Sequence, residues 1–115
     1  MPRYVILEHD HPQRHWDLML EVGEALRTWR LEGWPENGVQ IRAEPIGDHR
    51  IAYLDYEGPV SGKRGRVQRR DEGTYAGELA WPLSVTVSGR CLKGAITIAP
   101  DLAGTWWFRY LSATS

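Results

Sequence analysis

The sequence predicts an all-β fold, a compact small barrel of about eight short strands with at most short helices. Apolar and β-branched residues come in short runs, few of them of helical length. Gly, Pro, Asn and Asp separate these runs at roughly 8–12-residue spacing, the rhythm of a sandwich or barrel. Two segments alternate with period two. Trp16, Leu18, Leu20 and Val22 stand against His15, Asp17, Met19 and Glu21, and Leu83, Val85 and Val87 against Ser84, Thr86 and Ser88.

In chain order, residues 4–8 form a compact aromatic and β-branched strand. The alternating segment 15–22 is the second strand. Glu21-Val22-Gly23-Glu24 turns the chain, and residues 25–31 return as the third. Residues 33–38, with Trp34-Pro35-Glu36-Asn37 inside, read as a loop. Residues 39–43 and 51–56 are further strands, split by the breaker cluster Pro45-Ile46-Gly47-Asp48. Glu57-Gly58-Pro59 opens a loop that runs through Gly62 to Gly65. Residues 66–70 follow as a strand ended by Asp71-Glu72-Gly73. Residues 83–88, 91–98 and 106–111 complete the series, and the tail 112–115 is expected to fray. There is no internal repeat, heptad or low-complexity tract.

A chain of 115 residues corresponds to one domain, residues 1–115. It is long enough to bury about two-thirds of its unfolded surface in a single core. The net charge is −1, from 14 basic and 15 acidic residues, so nucleic-acid binding would require a local basic patch. A single cysteine, Cys91, excludes an internal disulfide and a multi-cysteine zinc site. Met1-Pro2-Arg3 leads straight into Tyr4-Val5-Ile6-Leu7, too short for the apolar core of a leader. No apolar run approaches the roughly 20 residues of a membrane helix. The expectation is a soluble, cytoplasmic monomer with no membrane partner. Six Trp and five Tyr against one Phe either fill a small barrel core or line the rim of a wet cavity. The second option admits a barrel that senses an apolar small molecule.

Three of the four histidines, His9, His11 and His15, fall within seven positions, and Asp17 follows. Residues two apart on a strand share a face, so His15 and Asp17 present an imidazole and a carboxylate together. Both suit a borderline divalent cation. His9, at the end of the neighbouring strand, completes an open three-ligand site at the barrel mouth, with positions left for substrate and water. His11 lies in the turn before Pro12, near this set. The bland alternative is a polar loop carrying surface histidines. A cupin-type H-x-H set lacks its carboxylate, because His15 stands there, and the zinc-protease H-E-x-x-H pattern is absent.

The fourth histidine, His49, shares a face with Tyr53 if the chain between them is extended. Both can donate to anionic oxygens, and Arg42 and Arg50 are close in sequence. Lys63-Arg64-Gly65-Arg66-Val67-Gln68-Arg69-Arg70 carries five basic residues in eight. This stretch suits a phosphate backbone or, equally, a solvated hairpin neutralised by Asp71 and Glu72.

Several ordered motifs carry a resemblance. Tyr4-Val5-Ile6-x-x-His9-Asp10, then His15-Trp16-Asp17-Leu18-x-Leu20-Glu21, then Thr28-Trp29, resembles the opening of the 3′-phosphoesterase domain of bacterial DNA ligase D. That domain accompanies polymerase and ligase modules and also occurs alone. The family's pattern is F-V-I-Q-x-H, then H-Y-D-F-R-L-E, then S-W. Asp48-His49-x-x-x-Tyr53-x-Asp55-Tyr56-Glu57-Gly58 is similar to its D-H-P-x-x-Y-x-x-F-E-G. Glu72-Gly73-Thr74-Tyr75 and Ser88-Gly89-Arg90-Cys91-Leu92-Lys93-Gly94 echo later segments, so the resemblance spans residues 4 to about 98.

The resemblance implies a compact β-barrel and a divalent metal, typically manganese. It also implies removal of a terminal ribonucleoside and then the 3′-phosphate from DNA ends during non-homologous end joining. By motif, His9, His15 and Asp17 correspond to the metal ligands, and His49 and Tyr53 to the phosphate-facing catalytic pair. The implied partners are DNA or RNA-tailed DNA 3′ ends, with ligase or polymerase modules encoded separately. The donor set itself suits manganese, zinc or iron equally.

Three positions depart from the pattern. The family's arginine after H-Y-D-F falls on Met19, its glutamine on Leu7, and a lysine at about Gly33. The family's N-terminal arm, with further charged site residues, has no counterpart ahead of Tyr4. Arg14, Arg30, Arg42 and Arg50 are the candidates to replace the missing phosphate donors, and Lys63, Arg64 and Arg66 those to follow a nucleic-acid backbone. The alternative to an active hydrolase is a catalytically weakened metal- and phosphate-binding module in a DNA repair assembly.

Overall fold

Nine strands and one 3-10 turn are present among the described residues, 1–80 and 82–113, of the computed structural model. In chain order they are β1 (Arg3–His9), β2 (His15–Val22), β3 (Ala25–Leu31), β4 (Gln40–Arg50), the 3-10 turn (Ile51–Leu54), β5 (Gly58–Pro59), β6 (Arg66–Ala76), β7 (Leu83–Gly89), β8 (Lys93–Pro100) and β9 (Trp106–Ser112). Eight strands close an antiparallel barrel in the order β1-β2-β3-β4-β9-β8-β7-β6, with β6 pairing back onto β1. β5 is the extra strand. It pairs with Val67 and Arg66 of β6, short of the Gly73–Ala76 stretch that β7 takes. No helix among the described residues is long and apolar enough to cross a membrane.

The lumen is filled by one face of each long strand, including Tyr4, Ile6, Leu18, Leu20, Trp29 and Phe108. Trp16, Trp34 and Trp106 pack partly buried at its edge, whereas Trp81 lies outside the described residues. A second apolar layer lies on the outside of the β1–β2–β3 wall. There Val5, Leu7, Met19 and Leu26 pack with Val67 and with Leu54 of the 3-10 turn. β1 and β2 are therefore buried on both faces, which explains the unbroken run Tyr4-Val5-Ile6-Leu7.

Four expectations are corrected. Residues 51–56 do not form a strand. The turn Ile51–Leu54 buries only Leu54, one contact per turn. The cluster Pro45-Ile46-Gly47-Asp48 does not break β4, which runs through it. Pro45 stands beyond Ala43, the last β4 residue paired with β9, on a stretch with one neighbour where a missing N–H is tolerated. Gly47 and Asp48 fall at a bulge, between the pairs Thr28–Ile46 and Leu26–His49.

β6 does not stop at Asp71-Glu72-Gly73 but continues to Ala76. Asp71 is wholly buried. It accepts hydrogen bonds from the Tyr4 hydroxyl (2.6 Å) and the backbone N–H groups of Cys91 (2.7 Å) and Leu92 (3.2 Å). Burial together with this bond raises the Tyr4 hydroxyl above the ordinary phenol range. At the tail, Ser112 closes β9 and the Ala113 N–H donates to the Lys93 carbonyl (2.8 Å), so neither frays. Thr114 and Ser115 lie outside the described residues.

Candidate metal centre

The pairing of β1 with β2 sets His9 opposite His15 and Leu7 opposite Asp17. Period two then puts His9, His15, Asp17 and Met19 on one face. It is the outer face, shared with the second apolar layer, and not the lumen. The expected position at the barrel mouth is corrected accordingly: the three groups meet on the outside wall.

One potential ligand atom from each of His9, His15 and Asp17 lies within 4.8 Å of the others. His15 and Asp17 are 5% and 3% exposed. The His15 Nδ1–H donates to the Gln13 carbonyl (2.9 Å), and the His9 Nε2–H to the Arg64 carbonyl (2.7 Å). Carbonyls only accept, so each neutral ring keeps its other nitrogen as a lone pair. Orientation of an imidazole by a backbone carbonyl is the usual support of a metal-binding histidine. His15 Nε2 and Asp17 Oδ1 stand 3.4 Å apart, buried, and neither has a hydrogen-bond partner. The Asp17 carboxylate raises His15 above the usual imidazole range, outweighing its burial. Two adjacent buried polar atoms without partners, a third imidazole within reach and fixed tautomers fit a divalent cation.

A cleft of about 270 Å³ opens over His9 and Asp17, while His15 lines the groove beside it. His9, His11, Asp17, Met19 and Arg30 form part of the cleft's walls, and His49, Tyr53 and Arg64 face them from the later segments. His49 and Tyr53 meet, with ring centroids 5.7 Å apart, although the chain between them is not extended. The end of β4 followed by the 3-10 turn brings them together. The His49 Nδ1–H donates to the Gly47 carbonyl (2.9 Å), leaving Nε2 for the cleft.

The arginine candidates separate. Arg30, opposite Asp17 in the β2–β3 register, lines the cleft, and its buried Nε has no hydrogen-bond partner. Arg14 is drawn to Glu8 (3.4 Å) and lines a neighbouring groove with His15 and Arg30. Arg42 borders a groove beside Trp106, and Arg50 a recess on the far side of Tyr53. None of these three reaches the cleft.

The basic run also divides. Arg69 pairs with Glu72 (3.1 Å) and Glu57 (3.8 Å), and Arg70 with Glu8 (3.3 Å). Lys63, Arg64 and Arg66 stay exposed, and the Arg64 side chain bonds to Ser61 (2.7 and 3.2 Å).

Sequence reasoning missed the tie that holds the β5–β6 loop against the histidines. Asp10 Oδ1 accepts the Arg66 backbone N–H (2.8 Å), which holds the Asp10 carboxyl below the ordinary range. Gly65, at φ +76°, has no room for a Cβ against Asp10 and His11. The signal was present in Gly62, which precedes the basic run, and Gly65, which interrupts it.

With this geometry in view, the sequence profile of the DNA ligase D 3′-phosphoesterase domain matches residues 7–101. A multifunctional non-homologous end joining protein LigD from Pseudomonas aeruginosa is 32% identical over 112 residues, covering 90% of this chain. The match spans 13% of that relative's length.

Proposed function

Since the chain belongs to the DNA ligase D 3′-phosphoesterase domain family, we propose that it processes 3′ ends of nucleic acid in DNA end joining, as a metal-dependent hydrolase that removes a 3′-phosphate or 3′-ribonucleoside. His9, His15 and Asp17 hold the divalent cation, manganese or another transition metal. The observation that carries this reading is the buried, unpartnered pair of His15 Nε2 and Asp17 Oδ1 beside His9. When bound, the cation supplies polarisation of a phosphoryl oxygen and a water of lowered pKa.

The chain's own residues do the rest. The Arg30 guanidinium, whose Nε has no hydrogen-bond partner in the protein, is the group that clamps phosphate oxygens. The Tyr53 hydroxyl, and His49 when its Nε2 carries a proton, donate to the oxygens on which charge develops. Lys63, Arg64 and Arg66 lie beside this cleft as backbone contacts. Ligase or polymerase modules encoded separately would take up the trimmed end.

The test uses a primer–template with a 3′-phosphate and manganese. Wild-type protein should release phosphate at least about 10²-fold faster than His9→Ala. Equal rates would overturn the reading.

Met19 favours a second reading. It is 1% exposed on the ligand face, at the position of the family's arginine. Loss of one preorganised donor costs about 10²–10³ in rate. A binding module with weakened turnover would show a manganese-dependent rise in melting temperature and no product.

A further inference from the structure

Behind Tyr53 the chain forms a second recess of about 240 Å³, between the 3-10 turn and β5. It shares Tyr53 and Val60 with the metal cleft. A series of rings leads from one to the other. His49 meets Tyr53 edge-on, and Tyr53 meets Tyr56 edge-on at 5.8 Å. The Tyr56 hydroxyl donates to the Pro59 carbonyl, which fixes the ring, while 38% of the residue stays exposed. Arg50 and Ser61 add a cation and a hydroxyl, and no carboxylate lines the recess.

The volume lies below the roughly 300–1,000 Å³ of sites for drug-sized ligands, so it suits one ring system and not a whole nucleotide. Tyrosine rings with an arginine are the surfaces on which unstacked bases settle. We propose that this recess is a nucleobase subsite, which seats the base of the 3′-terminal nucleotide whose phosphate lies in the adjoining metal cleft. The assignment rests on the reading of that cleft as a 3′-phosphate site. Tyr53 is the wall between base and phosphate. Every base offers a π-face, so the subsite tolerates any base but distinguishes a terminus with a base from an abasic one.

The experiment is equilibrium binding by fluorescence anisotropy, with 5′-labelled single strands that end in a 3′-phosphate and carry either a terminal base or an abasic residue. EDTA in the buffer prevents turnover. Wild-type protein should bind the base-bearing end about tenfold more tightly, as stacking of one base implies. Tyr56→Phe keeps the ring and should keep the preference. Tyr56→Ala removes the ring, and Ala52→Trp fills the recess without removing any side-chain hydrogen bond. Both should bring the two ends within about twofold, and melting curves confirm that each variant folds. Equal binding of the two ends by wild-type protein, binding of neither, or a preference that survives in both variants would overturn the subsite. Manganese-dependent phosphate release is measured alongside. Release without a base preference removes the subsite alone. A base preference without release removes the hydrolase reading and leaves the subsite standing.

Discussion

His15 Nε2 and Asp17 Oδ1 are buried and have no hydrogen-bond partner beyond their own 3.4 Å ion-pair contact, and a buried polar atom left without a hydrogen bond costs up to about 1–3 kcal/mol unless a ligand satisfies it. Metal should therefore stabilise the protein, and removing a ligand should abolish that effect without unfolding it. We expect manganese to raise the melting temperature of wild-type protein, and His9→Ala and Asp17→Ala to lose the rise. Their metal-free melting should stay within about 4 °C of wild type, the shift for 1 kcal/mol in a domain of little over 100 residues. Differential scanning calorimetry with and without EDTA reads both; a metal-induced rise that persists in Asp17→Ala would contradict the ligand set. The pairing of His15 with Asp17 was legible because period two is a backbone property: the two share a face in any strand register. Which arginine lines the cleft was not. Arg14, Arg30, Arg42 and Arg50 are equivalent in sequence, and only the pairing of β2 with β3 sets Arg30 beside Asp17.

Two loops carry predictions at the level of elements. The β5–β6 loop is held against the end of β1 by Asp10 and by the close approach of Gly65. Gly65→Ala adds a Cβ where there is no space and a left-handed backbone cost of about 1–2 kcal/mol. It should lower the melting temperature and weaken manganese binding by displacing the Arg64 carbonyl from His9; unchanged metal affinity in isothermal titration would dissociate the loop from the site. The loop between β8 and β9 is organised by Asp101. Its carboxylate accepts hydrogen bonds from the Trp107 indole N–H (3.0 Å) and from the backbone of Ala103 (2.9 Å) and Thr105 (3.0 Å). The Trp107 bond, first among these, holds Asp101 below the ordinary carboxylate range. A depressed carboxyl stabilises above its unfolded pKa, and the effect is lost as pH falls through the folded value. The Trp107 indole N–H resonance should therefore shift below about pH 4, the ordinary Asp range, and stay flat in Asp101→Asn. An identical acid shift in that variant would refute the assignment. Strand positions were readable where one face is apolar, as in residues 83–88. The breaker cluster at Pro45 misled because an edge stretch and a bulge accept the residues that would end a central strand.

For the whole molecule, a net charge of −1 coexists with a local basic edge at Lys63, Arg64 and Arg66 because Arg69 and Arg70 are neutralised by Glu57, Glu72 and Glu8. Binding of a single strand should thus depend on salt through few contacts. Replacing Lys63 and Arg66 with Gln should reduce the slope of log affinity against log salt by about 1.4, at about 0.7 per phosphate. An unchanged slope would place the strand elsewhere. The barrel was legible from strand count and spacing, but the side of its wall that carries His9, His15 and Asp17 was not. β2 buries Leu18, Met19 and Leu20 in succession, so alternation separates two faces without saying which is the lumen. Only the cover of Leu54 and the β5–β6 loop makes the outer face a site. The most direct measurement is anomalous scattering from a crystal soaked in manganese. A single peak bonded to His9, His15 and Asp17 on the outer wall is the result expected. No peak there, with His15 and Asp17 still facing each other alone, would contradict it.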